Sequence, residues 1–179
     1  MPELRKDPIL GRWVIIAVER ARRPKGFKST APVGEQGECP FCEGHESNTP
    51  SEIFAIRREG TKPDQPGWQT RVIPSKTPFL KIEGQADRHG RGLYDVMGGV
   101  GAHEIIIETP QHIANIADLD ETQIAKGITC WIDRFLDLGR DERFKYVLVF
   151  KNYGWASGGG RVRHARTQLI ATPVTPKRV

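Results

Sequence analysis

Apolar and β-branched residues gather in short runs at Arg12–Val18 (RWVIIAV), His103–Glu108 (HEIIIE), Tyr146–Phe150 (YVLVF) and Gln168–Thr172 (QLIAT), and each run predicts a strand. The His103–Glu108 run is dense enough for burial, and Pro110 ends it. Trp68–Phe79 predicts a shorter strand, because Pro74 and Pro78 remove ladder donors and favour an edge or a strand end. The same two prolines frame a turn at Ser75–Thr77. Between Lys81 and Gly101 six glycines and little periodicity predict a long loop, with Tyr94-Asp95 in a turn. The period changes after Asp118. Asp118 and Glu121 stand in capping-box order, and Ile124, Ile128, Trp131, Ile132, Phe135 and Leu136 follow at helical spacing. A helix over about 120–138 is expected to lay those residues on a sheet, with Cys130 a small core residue among them. Together the elements predict an α+β fold, an antiparallel sheet with one long packed helix.

The last two strands bracket the most informative stretch. After Phe150 the chain enters a loop with Gly154, Gly158, Gly159 and Gly160, then returns through Arg163-His164-Ala165-Arg166-Thr167-Gln168. Extended side chains alternate, so His164, Arg166 and Gln168 face one side while Ala165 and Thr167 face the other. Glycines without Cβ bulk let backbone N–H groups approach an oxyanion, which suits a phosphate better than a neutral sugar.

Size and charge narrow the class. At 179 residues the chain is expected to form a single domain with a real core. No apolar run approaches the ~20 residues that span a membrane, and the N-terminus MPELRKDPILGRW lacks the apolar centre of a signal peptide, so a cytoplasmic protein is expected. A formal charge of +5 invites nucleic acid, yet the Lys and Arg residues are interleaved with 22 acids, and a small anionic ligand fits better. Arg20 and Arg23, in the basic turn before Pro24, read either as a solvated charge run or as guanidinium forks for a phosphate.

Three cysteines in such a chain are more naturally thiols or metal ligands than a disulfide framework. Cys39-Pro40-Phe41-Cys42 places two thiolates at a spacing that tetrahedral zinc accepts, within a rigid turn. A redox pair is the competing reading, but such a pair normally opens a helix after a strand. The remaining ligands must come from elsewhere, with His45, His89, His103, His112 and His164 as candidates and His45 favoured by spacing alone.

The order of R-x-x-R-P at Arg20–Pro24, C-P-F-C at Cys39–Cys42, R-V-x-P at Arg71–Pro74, G-x-H-E at Gly101–Glu104, N-x-G at Asn152–Gly154 and H-A-R-T-Q at His164–Gln168 resembles the N-terminal half of the galactose-1-phosphate uridylyltransferase family, a branch of the histidine-triad superfamily. The resemblance implies a histidine-triad-like half domain over residues 1–179 with the C-terminal half absent, and a structural zinc held by Cys39, Cys42, His103 and His164. It implies nucleotide contacts at Arg20, Arg23, Arg71, Ser75, Asn152, Gly159, Gly160 and Gln168, with Ser75 where the family has asparagine. In the family the second histidine of H-x-H-x-Q carries the uridylyl group; here that position is Arg166, with Gln168 beside it. The implied substrates are a nucleotide sugar, UDP-glucose or UDP-galactose, and a hexose 1-phosphate of galactose metabolism, handled by a homodimer. A guanidinium has no lone pair to attack phosphorus, so the chain is expected to be an inactive or impaired nucleotidyltransferase, or else a non-catalytic nucleotide-sugar binding module.

Overall fold

The computed structural model describes residues 2–21, 38–154, 157 and 162–177. Two antiparallel sheets carry the fold. The larger one orders β3 (Phe54–Arg57), β4 (Trp68–Pro74), β7 (Ala102–Ile107), β9 (Arg166–Thr172) and β8 (Tyr146–Phe150), as 3-4-7-9-8. The smaller orders β2 (Trp13–Ile16), β1 (Glu3–Lys6), β6 (Tyr94–Gly98) and β5 (His89–Arg91), as 2-1-6-5. Past β2, a short helix α1 (Val18–Ala21) takes up the end of the run expected to be strand. With the long helix α2 (Glu121–Leu138) the expected α+β class is found.

The centre of the larger sheet follows from its residues. In β7, Ala102, Glu104 and Ile106 point to one face and His103, Ile105 and Ile107 to the other. The first face meets α2: Val72, Ala102, Ile106, Leu169 and Ala171 pack with Cys130 and Leu138. Burial and the nearby Asp133 push the Cys130 thiol up to about 12, so it behaves as a core residue, as expected. The second face has two covers. Leu4, Leu80 and Met97 bring the smaller sheet onto Ile170, and Phe41 of the cysteine turn packs on Trp68, Ile73 and Ile107.

Of the two positions the prolines favoured, the strand end is found and the edge is not: β4 lies inside the sheet, between β3 and β7, and Pro74 is its last residue, so its missing donor falls where the ladder ends. Two further expectations are corrected. The stretch 81–101 holds a hairpin, with Gly92 in the left-handed region (φ 61°) and Tyr94 already in β6. The helix keeps its expected range but its cap lies two residues past Asp118: Asp120 accepts from the Gln123 N–H at 2.8 Å.

The helix also turns a different face inward. Gly127, Cys130, Arg134 and Leu138 are buried, whereas Ile128, Ile132, Phe135 and Leu136 are 42–58% exposed. The reason sits on β7. Glu104 points into the helix–sheet layer, and a buried carboxylate needs a cation. Arg134 supplies it through two 2.8 Å bonds and donates a third, also 2.8 Å, to Asp137. Removing one partner of such a pair strands the other, so Glu104→Ala should lower the free energy of unfolding by about 3–5 kcal/mol in urea. The double replacement Glu104→Leu with Arg134→Met should cost far less, and equal losses in both variants would contradict this role.

Candidate functional site

A group of four metal-type ligands forms where the C-terminal end of β7 meets the entrance to β9. Cys39 and Cys42 lie in a turn closed by the Cys42 N–H on the Cys39 carbonyl at 3.3 Å. Their thiols and the imidazoles of His112 and His164 place ligand atoms within 4.8 Å of one another. Cys39 Sγ is 3.5 Å and Cys42 Sγ 3.8 Å from His164 Nδ1, and Cys42 Sγ is 3.3 Å from His112 Nδ1. Tetrahedral zinc, with ~2.3 Å to sulfur and ~2.1 Å to nitrogen, sets such atoms roughly 3.5 Å apart, so the donors fit. His164 is buried, and its Nε2–H donates to the Thr109 carbonyl at 2.8 Å, which leaves Nδ1 with a lone pair aimed at the sulfurs.

This corrects the expected ligand set. His103 pairs with Ile170, while Ile107 pairs with Arg166 beside the cysteines, so His103 stands four residues back along β7. At ~3.3 Å per residue that is roughly 13 Å away. His112 instead follows the strand end, where the Glu108 N–H bonds the Ala165 carbonyl and the Ala165 N–H bonds the Ile113 carbonyl, at 3.1 and 2.6 Å. His45 supports the turn from outside, with Nδ1 2.8 Å from the Cys39 carbonyl and Nε2 3.3 Å from Glu38. His89 is exposed on β5.

Carboxylates brace the same turn. Glu46 accepts from the Trp68 indole at 2.7 Å and from the Gly44 N–H at 3.0 Å, and Glu43 accepts from the Gly67 N–H at 2.6 Å. Burial alone pushes the Glu46 carboxyl up, but the indole and backbone donors outweigh it and hold it below its usual 4.5. A depressed carboxyl stabilises the fold above its unfolded value and loses that contribution as pH falls through the folded value. Urea unfolding of wild type and Glu46→Gln should therefore differ most near neutrality and converge as pH falls below the usual 4.5 and through the lowered folded value. A difference that is constant with pH would contradict this.

The expected row on β9 is partly realised. Arg166 and Gln168 share a face of the strand. The Arg166 guanidinium lies 5.7 Å from the Phe41 ring centroid and donates to the Val162 carbonyl and, at 3.2 Å, to the His164 carbonyl. Burial lowers its pKa and the neighbouring Cys39 raises it; it remains a donor-only cation that ties the loop before β9 to the metal-ligand turn.

Gln168 Oε1 is 3.1 Å from His103 Nε2, and His103 Nδ1 accepts from the Phe79 N–H at 3.2 Å. The Phe79 ring stacks on His103, with centroids 4.8 Å apart, and carries the Arg20 guanidinium 3.8 Å above it. Arg20 also donates to the Thr77 carbonyl. Ser75 joins this group through its N–H on the His103 carbonyl at 2.8 Å. Ser75 and His103 line a cavity of about 1050 Å³ that continues past Leu80 and Lys81 to the Glu104–Arg134 pair.

The structure thus brings Arg20, Ser75, His103 and Gln168 together, and Arg166 beside the metal ligands. Arg71 is elsewhere. It is 1% exposed and donates to Asp64 at 2.6 Å, Thr49 at 2.7 Å and Glu52 at 3.1 Å, so its charge is already matched inside the protein. That corrects its expected substrate role. Asn152 is exposed after β8. Arg23, Gly159 and Gly160 lie outside the described residues.

Comparison with known proteins finds related sequences and folds. A family model described as the N-terminal domain of a domain of unknown function, DUF4931, matches residues 93–173. Over 184 residues the chain is 36% identical to the ADP-glucose phosphorylase of Arabidopsis thaliana, covering 99% of this chain and 50% of that protein. Over 185 residues it is 29% identical to the galactose-1-phosphate uridylyltransferase of Thermotoga maritima, covering 100% of this chain and 49% of that one. The chain is thus similar to proteins named ADP-glucose phosphorylase and galactose-1-phosphate uridylyltransferase. It spans about half the length of the curated relatives it matches, consistent with their N-terminal half. Solved structures of similar proteins superpose on it. The Arabidopsis thaliana ADP-glucose phosphorylase with bound ADP-glucose does so with a TM-score of 0.66 at 32% identity, covering 99% of this chain and 50% of that one. A structure described as a uridylyltransferase gives 0.69 at 25% identity, covering 98% and 47%. Among the described residues no helix is long and apolar enough to cross a membrane.

Proposed function

We propose that the chain is a nucleotide-sugar-binding domain of the nucleotidyltransferase type, with the nucleotide phosphate lying against Gln168 on β9 and the covalent step blocked at Arg166. The observation that carries this reading is the conjunction on one strand entrance of a Cys2His2 group, a donor-only residue at the position of the family nucleophile, and Gln168 two residues on. Transfer through a side chain needs an imidazole nitrogen with a free lone pair, which a guanidinium lacks. Arg166 instead holds two loop carbonyls, which favours binding without turnover.

Arg20 and Gln168 would meet phosphate oxygens by charge-assisted and neutral hydrogen bonds. Ser75, with Pro74 and Pro78, would border the nucleoside. The expected ligands are UDP-glucose or UDP-galactose, with a hexose 1-phosphate as partner in a family-type transfer in galactose metabolism. The 36% identity to an ADP-glucose phosphorylase makes ADP-glucose an equal candidate. Zinc would be held by Cys39, Cys42, His112 and His164; four protein ligands close the coordination sphere, so the ion is structural and fixes the approach to β9. A single domain over residues 1–179, equivalent to one half of a relative, and a homodimeric assembly belong to the same proposal.

Calorimetric titration of the zinc-loaded chain with UDP-glucose and ADP-glucose tests the reading. Saturable binding to one of them, weakly dependent on salt, supports it. No binding to either, or steeply salt-dependent binding to a polynucleotide alone, contradicts it.

A further inference from the structure

Histidine at position 103 is spent neither on the metal nor in the apolar core, and its bonds fix something else. The Phe79 backbone N–H can only donate, so His103 Nδ1, 3.2 Å away, must accept. A neutral imidazole that accepts at Nδ1 carries its proton on Nε2. The group facing Nε2, 3.1 Å away, is the Gln168 side chain, which therefore has to present its oxygen. The terminal amide of a glutamine is otherwise free to turn over and exchange donor for acceptor. Here that choice is made by a backbone N–H one imidazole away. We infer that His103 is a positioning residue: it locks the Gln168 amide so that Oε1 is consumed internally and only the NH2 group is left for a ligand.

The surroundings support the lock. The His103 ring is 6% exposed and lies nearly parallel to Phe79, at 18°, so it cannot swing away without breaking a stack that also carries Arg20. The Gln168 NH2 has no partner among the described residues. The outcome is a donor pattern suited to an acceptor-rich ligand: an amide held donor-outward on the face of β9 that also carries Arg166. This inference rests on the reading that a nucleotide phosphate lies there, and it explains how a neutral side chain is made selective for an anion.

Two readouts separate the lock from that reading. In the zinc-loaded, 15N-labelled full chain, long-range 15N–1H correlation reports the His103 tautomer with no ligand present. The Nε2–H form is expected; the Nδ1–H form overturns the inference. Titration with UDP-glucose and ADP-glucose then compares wild type with two variants. Gln168→Glu keeps the acceptor that His103 needs but turns the ligand-facing donor into a second acceptor, and His103→Phe keeps the ring stack but releases the amide. Both should weaken binding by about 10- to 100-fold while zinc content and the far-ultraviolet spectrum stay unchanged. Gln168→Glu binding as tightly as wild type overturns the inference. Failure of the wild type to bind either nucleotide sugar overturns the functional reading and the ligand-facing role with it, and the tautomer still decides whether the internal lock exists.

Discussion

Arg166→His gives the chain a nucleophile, and incubation with UDP-glucose or ADP-glucose is expected to leave a nucleotidyl adduct on the introduced imidazole that survives denaturation, where wild type leaves none. In that step a nitrogen–phosphorus bond forms at the α-phosphorus, the bond to the bridging oxygen breaks, and hexose 1-phosphate departs with the electron pair. The wild-type guanidinium cannot take this part, because it stays protonated and has no lone pair to offer. Loss of a covalent nucleophile commonly costs on the order of 10⁴ to 10⁶ in rate, and a restored one should recover a detectable share in a single turnover. The substitution also removes the bonds from Arg166 to the Val162 and His164 carbonyls, so a modest loss of stability, about 1–3 kcal/mol, should accompany the gain. A zinc-loaded Arg166→His chain that binds nucleotide sugar and still forms no adduct would sink the assignment of this position.

Cys39→Ser is expected to have the largest effect on stability. The turn that carries Cys39 and Cys42 covers one end of the larger sheet through Phe41, and His164 ties it to the entrance of β9. With the metal bound, three segments that are distant in sequence share one ion. Structural zinc sites in small domains hold about 10–16 kcal/mol of apparent binding free energy near neutral pH, and part of this is folding free energy. Loss of one thiolate should reduce zinc to well below one per chain and lower the melting temperature by roughly 10 °C or more. Chelation of wild type should reproduce the shift, and Cys130→Ser should leave zinc in place because that thiol is buried between α2 and the larger sheet. Stoichiometric zinc in Cys39→Ser would mean that the ion sits elsewhere.

Much of this was legible in the sequence, and the failures have physical causes. In the larger sheet β7, β8 and β9 showed as dense apolar runs and β4 as a shorter one, while the four-residue β3 gave no signal, and the metal-ligand turn showed as a cysteine spacing. His112 could have been placed by arithmetic along the strand: a ligand beside residue 164 must come from the end of β7 that meets Arg166, and His103 lies at the other end. The face of α2 was misread because its apolar stripe, with Ile128, Ile132 and Phe135, does not coincide with the buried stripe at Gly127, Cys130, Arg134 and Leu138. The tie-breaker was Glu104 on a different element, whose charge draws Arg134 inward. Arg71 looked available for phosphate because Glu52 and Asp64, which neutralise it, are not its sequence neighbours in any helical or strand period. The β5–β6 hairpin is short, polar and mostly exposed, so no hydrophobic period announced it.

Native mass spectrometry of the wild-type chain with and without UDP-glucose or ADP-glucose, followed by the same spectrum under denaturing conditions, tests the central claim most directly. One zinc per chain, and a nucleotide sugar that binds but is lost on denaturation, is the expected result: a transferase-type site held open by its metal and lacking a nucleophile. A nucleotidyl adduct that survives denaturation of the wild type would contradict it, because some side chain other than Arg166 would then be attacking phosphorus.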